Sequence, residues 1–306
     1  MPLLRLRDGA GLHYEVHGSG PPLLLVPGLG GVATFWQRHV PALARDFTVV
    51  LHDHRGCGRS GPSDTAYSVG QMAGDVLQLM DSLGIARAHL VGHSTGGAIG
   101  QIIALDAPDR IDRLVLSATW TRADGYFRRL FATRAQGMER LGRGYYGQLG
   151  NLVLYPPWWL SRHADELEAA QAASPVPPTE DRIVLARIAA ILAFDRSGEI
   201  ERIGHRTLVS AARDDAVTPS YYSEELARRI PARGCRWCPR AGISTTTASR
   251  PNSSGSWPGS CSPDRPGRLT KPCRGPGQPS ALARRRPHAP GMKIFPASGT
   301  ACISLI

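Results

Sequence analysis

Ala88-His-Leu-Val91-Gly92-His93-Ser94-Thr95-Gly96-Gly97-Ala-Ile-Gly-Gln-Ile-Ile-Ala-Leu105 decides the fold of this chain. Ala88–Val91 is a short apolar run of the kind that forms a strand buried on both faces. Gly97–Leu105 carries helical periodicity. Between them lies a G-x-S-x-G pentapeptide, Gly92-His93-Ser94-Thr95-Gly96. A strand that turns sharply into a helix needs small residues at the turn, because a side chain there would clash, and Gly92, Gly96 and Gly97 meet that need. The turn lifts Ser94 clear of the sheet, beside a helix N-terminus whose N–H groups favour developing negative charge. Ser94 is therefore the candidate nucleophile. The alternative, a chance pentapeptide in a glycine-rich chain, does not account for the strand and helix that flank it.

Working outward, apolar runs recur at Pro22–Val26, Phe47–Leu51, Leu114–Ser117 and Thr207–Ser210. Leu3–Arg7 and Leu12–His17 alternate roughly between apolar and polar residues, like a half-exposed hairpin. Helical periodicity appears at Phe35–Leu43, Val69–Leu83 and Tyr222–Ile230. Strands alternating with helices predict an α/β fold with a mainly parallel sheet flanked by helices. Residues 121–200 break the alternation. They read as a helical lid inserted between two strands, with an aromatic cluster at Tyr155-Pro-Pro-Trp158-Trp159 and a turn at Pro175–Pro178.

Two further loops complete a candidate site. Pro27-Gly28-Leu29-Gly30-Gly31 follows an apolar strand, and its glycines let backbone N–H groups face a cavity. The N–H groups of Leu29 and Thr95 would form an oxyanion hole. Asp215, after the strand Thr207–Ser210, is placed to orient an imidazole. Its neighbour Asp214 is the alternative acid.

These residues resemble the α/β-hydrolase family, and Asp53-His54-Arg55-Gly56-Cys57-Gly58-Arg59-Ser60 resembles its D-x-R-G-x-G-x-S loop. The resemblance spans residues 3–230. Within the family the chain is most similar to the aminoacrylate (carbamate) hydrolases of Rut pyrimidine utilisation. The similarity lies in Gly28-Leu29-Gly30-Gly31, Tyr67-Ser-Val-Gly-Gln71-Met72-Ala73, Leu152-Val-Leu-Tyr155-Pro156 and Asp214-Asp215-Ala-Val-Thr-Pro219. The 3-oxoadipate enol-lactonases share much of this pattern. The resemblance implies a hydrolase of a small amide, carbamate or ester that works without a cofactor. An enol-lactonase or general carboxylesterase is the alternative.

The resemblance also implies a histidine base beyond the acid, and none is found in place. The only histidine after Asp215 is His288. His93 adjoins the nucleophile, but neighbours on a sharp turn point apart. His52 and His54 read as loop or packing residues. From about residue 231 the pattern fails altogether: Pro, Gly, Ser and Arg dominate without periodicity. Residues 1–230 hold 24 Arg, no Lys and 24 Asp plus Glu, whereas residues 231–306 hold 12 basic residues against Asp264 alone. The whole +11 net charge therefore belongs to the tail. So do five of the six cysteines.

The genetic code accounts for this. Each residue's third codon base can be read with the first two bases of the next residue's codon. Trp237 into Cys238 then must give Val, and Trp257 into Pro258 must give Ala. The junctions between permit Val-Pro-Ala-Gly-Gly-His-Phe-Tyr-Asn-His-Arg-Val-Glu-Ala-Glu-Gln-Phe, which resembles the family's last strand, histidine turn and final helix. The recovered histidine falls at position 243, 28 residues after Asp215. The reading frame is thus inferred to slip by one base between about Ile230 and Gly234.

The expected organisation is a truncated core at 1–120 and 201–230, a lid at 121–200 and a non-native, disordered C-terminal tail at 231–306. The strand Thr207–Ser210 would be left with an unpaired edge. A catalytically inactive fold remnant is the competing functional class. The neutral body disfavours a nucleic-acid partner. No apolar run is long enough for a membrane span. Cys235-x-x-Cys238 with Cys261 and Cys273 lacks metal-site spacing, so no metal is expected. One cysteine in a large body fits a cytoplasmic enzyme acting on a small molecule.

Overall fold

The computed structural model describes residues 2–173, 178–231 and, by their backbone, 233–238. In chain order these form β1 (Leu3–Arg5), β2 (Gly11–His17), β3 (Pro22–Val26), α1 (Val40–Leu43), β4 (Thr48–His52), α2 (Val69–Ser82), β5 (Ala88–His93), α3 (Thr95–Asp106) and β6 (Ile111–Ser117). α4 (Gly125–Leu154), α5 (Pro157–Ala172) and α6 (Asp181–Leu192) follow, then β7 (Arg206–Ala212), α7 (Ser220–Arg229) and β8 (Arg233–Cys238). The strands make one sheet in the order β1-β2-β4-β3-β5-β6-β7-β8. β1, β2 and β4 pair antiparallel, and every pairing from β4 across to β8 is parallel.

The expected runs become the expected strands. Leu23–Val26 and Val49–Leu51 are buried throughout, as a central strand covered on both sides must be. The stretch around Phe35–Leu43 departs from a single helix. It opens as a 3₁₀ turn over Ala33–His39 and becomes α-helical only at Val40. Asp53 pins that opening by accepting the Ala33 N–H at 2.7 Å. The D-x-R-G-x-G-x-S loop is accordingly a brace. Asp53 also accepts from the Arg59 N–H at 2.9 Å, and Arg55 grips Asp75 with two bonds of 3.0 and 2.7 Å.

Three helices, α4 to α6, stand between β6 and β7 where a helical insert was expected. α4 breaks at Gly142, whose φ of 80° suits glycine. At the neck of the insert, Arg122 bridges Asp195 and the Arg196 N–H reaches the Thr121 carbonyl at 3.0 Å, closing its two ends together. Tyr155 stacks on Trp159, which stacks on His163. Of the proposed Pro175–Pro178 turn, residues 175–177 lie outside the described residues.

One expectation is corrected. β7 has no unpaired edge, because Arg233–Cys238 lies parallel to it from Thr207↔Arg233 to Ala212↔Cys238. Regular structure therefore continues beyond residue 230. A ladder needs only backbone N–H and C=O groups, which a segment without a strand-like side-chain pattern still supplies. Pro231 and Pro239 bound a proline-free stretch of seven residues that can give them. The tail from 239 onward lies outside the described residues, and with it His288, position 243 and Cys261, Cys273 and Cys302.

Candidate active site

β3, β5 and β7 run parallel, so the loops that follow them emerge at one end of the sheet. These loops carry Leu29, Ser94 and Asp215. β6 alone separates β5 from β7, which puts their ends about 10 Å apart.

Ser94 sits at the N-cap of α3 with φ 53° and ψ −117°, a backbone conformation rare for a residue with a side chain. It is held there by contact on every side. A Cβ on Gly92 would lie 2.2 Å from the Gly96 carbonyl oxygen, one on Gly96 would lie 2.1 Å from that of Val26, and one on Gly97 would strike Thr119 at 2.6 Å. The Ser94 N–H donates to the Ser117 carbonyl at 2.8 Å. Its side chain is half-buried and makes no hydrogen bond among the described residues. His93 is turned away from it: the ring stacks on Phe35 at 4.9 Å, and Nδ1 meets Ser117 Oγ at 3.2 Å.

The loop after β3 lies directly against the serine. A Cβ on Gly28 would come within 3.2 Å of Ser94 Cβ and 3.6 Å of its Oγ, so glycine keeps this side of the hydroxyl open. The Gly31 N–H donates to the Gly28 carbonyl at 3.0 Å and closes a tight turn. Peptides are trans, so fixing the Gly28 carbonyl aims the Leu29 N–H the opposite way. Thr95 opens α3, and its N–H has no earlier helical carbonyl to bond.

Asp215, not the exposed Asp214, is the buried carboxyl of its loop. It accepts the Val217 and Thr218 N–H groups at 2.8 Å each and the Thr218 hydroxyl at 2.9 Å. Burial nevertheless pushes it up to about 7, outweighing these hydrogen bonds, and among the described residues no cation is among the main influences on it. The first turn of α4 ties this loop to the insert: Tyr126 Oη donates to the Ala216 carbonyl, and Tyr221 and Tyr222 donate to Asp124.

Sequence reasoning missed Arg187. It is 1% exposed on α6, and donates through Nε and an Nη to the Leu29 carbonyl at 3.2 and 3.0 Å. It also donates to His54 Nδ1 at 2.7 Å. A guanidinium only donates, so His54 accepts through Nδ1 and carries its own proton on Nε2. Burial and the nearby Arg187 charge hold His54 well below its usual value, and burial lowers the stacked His52 to about 4. The signal in the sequence was a charge on an apolar stripe: Arg187 stands four residues from both Ile183 and Ile191, each 1% exposed.

A buried sheet that presents a strained serine between a glycine loop and a strand-end carboxyl defines a class of protein, and the chain belongs to the α/β-hydrolase fold family, whose model matches residues 21–237. It is a hydrolase of that family. It is 43% identical over 229 residues to "Putative carbamate hydrolase RutD" of Caulobacter vibrioides, covering 72% of this chain and 84% of the relative. The RutD protein of Azorhizobium caulinodans is 42% identical over 224 residues, with the same coverage. Among solved structures, the enol-lactonase of Burkholderia xenovorans superposes with a TM-score of 0.73 at 28% identity, over 79% of this chain and 93% of that one. Among the described residues, no helix is long and apolar enough to cross a membrane.

Proposed function

We propose that this chain carries the body of a serine hydrolase for a small amide, carbamate or ester, of the carbamate-hydrolase kind. The observation that carries this reading is the strained turn that presents Ser94 Oγ beside Gly28. In the proposed reaction a base takes the Ser94 proton and Oγ bonds to the substrate carbonyl carbon. The carbonyl oxygen gains negative charge, which the Leu29 and Thr95 N–H groups receive. The amine or alcohol then leaves with a proton, and water releases the acyl group from Ser94 by the same steps. Asp215 is the residue proposed to orient the base. Its elevated value, with no cationic neighbour among the described residues, fits a carboxyl that those residues leave without an imidazole partner.

The test compares the chain as it stands with one whose frame is restored from about Arg233, using small carbamates and esters. The restored chain should turn over about 10⁶-fold faster, the order lost when the base of a serine triad is removed. Ser94→Ala in the restored chain should abolish that gain. Equal turnover by the two chains, abolished in the first by His288→Ala, would show that the base is present in the tail. Equal and negligible turnover by both would favour an inactive fold remnant.

A further inference from the structure

We infer that Tyr126 is a positioning residue for the candidate acid: its phenol holds the Ala216–Val217 peptide so that the N–H of that peptide is presented to the Asp215 carboxyl. The catalytic sense of this rests on the hydrolase reading, to which it adds a way for the helical insert to act on the site. Tyr126 Oη donates to the Ala216 carbonyl. The Val217 N–H, at the other end of the same peptide, donates to Asp215 Oδ1 at 2.8 Å. In a trans peptide the C=O and N–H point opposite ways. Phenol, peptide and carboxyl therefore form one chain, in which each hydrogen bond polarises the next. The start of α4 aims the phenol. Asp124 caps that helix by accepting the Phe127 N–H at 2.9 Å, and it accepts the Tyr221 hydroxyl from α7 at 2.6 Å. Tyr126 is 44% exposed, so little packing depends on its hydroxyl, and a variant without it should keep the fold.

The consequence is chemical. A carboxyl that orients an imidazole works in its charged form. Burial has raised Asp215 to about 7 against three donors, and the charge of Asp214 adds to the rise from within the loop. Near neutral pH, a change in the strength of one donor therefore changes how much of the carboxyl is charged. Burial, then the charges of Asp215 and Asp124, hold the Tyr126 phenol above its usual value, so it stays a donor while Asp215 titrates. A hydrogen bond to the Ala216 oxygen makes the Val217 N–H a better donor and favours the carboxylate. The first turn of the insert thus tunes the charge of the acid without touching it.

Titration of Asp215 in the full chain tests this without need of turnover. Its carboxyl is followed by carbon NMR, with the signal assigned from Asp215→Asn. Tyr126→Phe should raise the proton affinity of Asp215 about 1.5- to fivefold, the share that a polarised peptide adds to a charge-assisted hydrogen bond. Tyr221→Phe loses a bond to Asp124 on the same helix start but none to Ala216, and should leave Asp215 unchanged. A smaller rise in Tyr126→Phe, or an equal one in Tyr221→Phe, overturns the inference. The unmutated chain gives a second reading. The Tyr126 Cζ signal should titrate with the Asp215 midpoint, because coupling between two sites is mutual. A Cζ signal that ignores Asp215 overturns the inference even if a variant does not fold. The two readings stay separable. A rise in Tyr126→Phe with no Ser94-dependent turnover in the frame-restored chain would sink the hydrolase reading and leave the tie standing. Turnover without the rise would do the reverse.

Discussion

At the end of β5 the chain is confined by contact, whereas at the end of β7 it is confined by hydrogen bonds around a charge. The Ser94 turn leaves no room for a single added carbon at Gly92, Gly96 or Gly97. The Asp215 loop tolerates its geometry easily, since three donors satisfy the carboxyl, but among the described residues it leaves the negative charge without a cation. The first region is complete within residues 1–230. The second is electrostatically unfinished among the described residues, since hydrogen bonds alone satisfy its buried carboxyl. Contact can thus fix one turn completely while hydrogen bonds fix a neighbouring loop and leave its charge unbalanced.

The difference predicts opposite responses to small substitutions. Gly96→Ala should be the most damaging. Its new methyl would meet backbone atoms of Val26 at 2.1 and 2.7 Å, and no flexible side chain can yield. We expect a loss of more than about 4 kcal/mol, read as a collapse of the urea midpoint or of soluble yield. A variant that unfolds at the unmutated midpoint would show that the turn is not sterically closed.

Asp215→Asn should instead stabilise the chain above neutral pH. The folded carboxyl, at about 7, holds its proton more tightly than an unfolded one near 3.8. The stability this gives is full below 3.8 and is lost as pH rises through about 7. His52, lowered to about 4, and His54, held well below 6.5, act in the other direction: stability falls as the pH drops below 6.5. The chain should therefore be most stable near pH 6.5. Asparagine removes the alkaline decline and keeps acceptor and donor positions for the loop. The expected gain at pH 9 is about 2–4 kcal/mol. Urea denaturation from pH 5 to 9 measures it, and an unchanged alkaline limb would mean that another group causes the decline.

The same contrast explains what could be read in the sequence. The turn at Ser94 was legible because its requirement is steric and local: three glycines at fixed spacing between an apolar strand and a helix admit few other structures. β3 was legible to the residue, since Pro22–Val26 is wholly apolar and bounded by Pro and Gly. β8 was not, because Arg-Gly-Cys-Arg-Trp-Cys has no strand pattern and is held by backbone pairing that any proline-free segment can supply. Arg187 was also hidden. Its spacing from Ile183 and Ile191 marks it as inward-facing only once α6 is known to be buried along that stripe. Local chemistry was visible in the sequence, but contacts across 158 residues, such as that from Arg187 to Leu29, were not.

The smallest effect tests the nucleophile turn from within. At φ 53° and ψ −117°, Ser94 keeps a Cβ where only glycine is at ease. Such strain costs about 1–3 kcal/mol. Ser94→Gly relieves it but gives the unfolded chain extra freedom worth about 0.5–1 kcal/mol. Little else is lost, since Oγ makes no hydrogen bond among the described residues and the Ser94 N–H to Ser117 bond is kept. Ser94→Ala keeps the Cβ and the strain, so it serves as the reference. We expect Ser94→Gly to be about 1 kcal/mol more stable than Ser94→Ala in urea. Both variants remove the hydroxyl, so their difference isolates the backbone from any chemistry of the serine. Equal stability would mean that the turn is relaxed in solution and that contact alone, without strain, holds Ser94 in place.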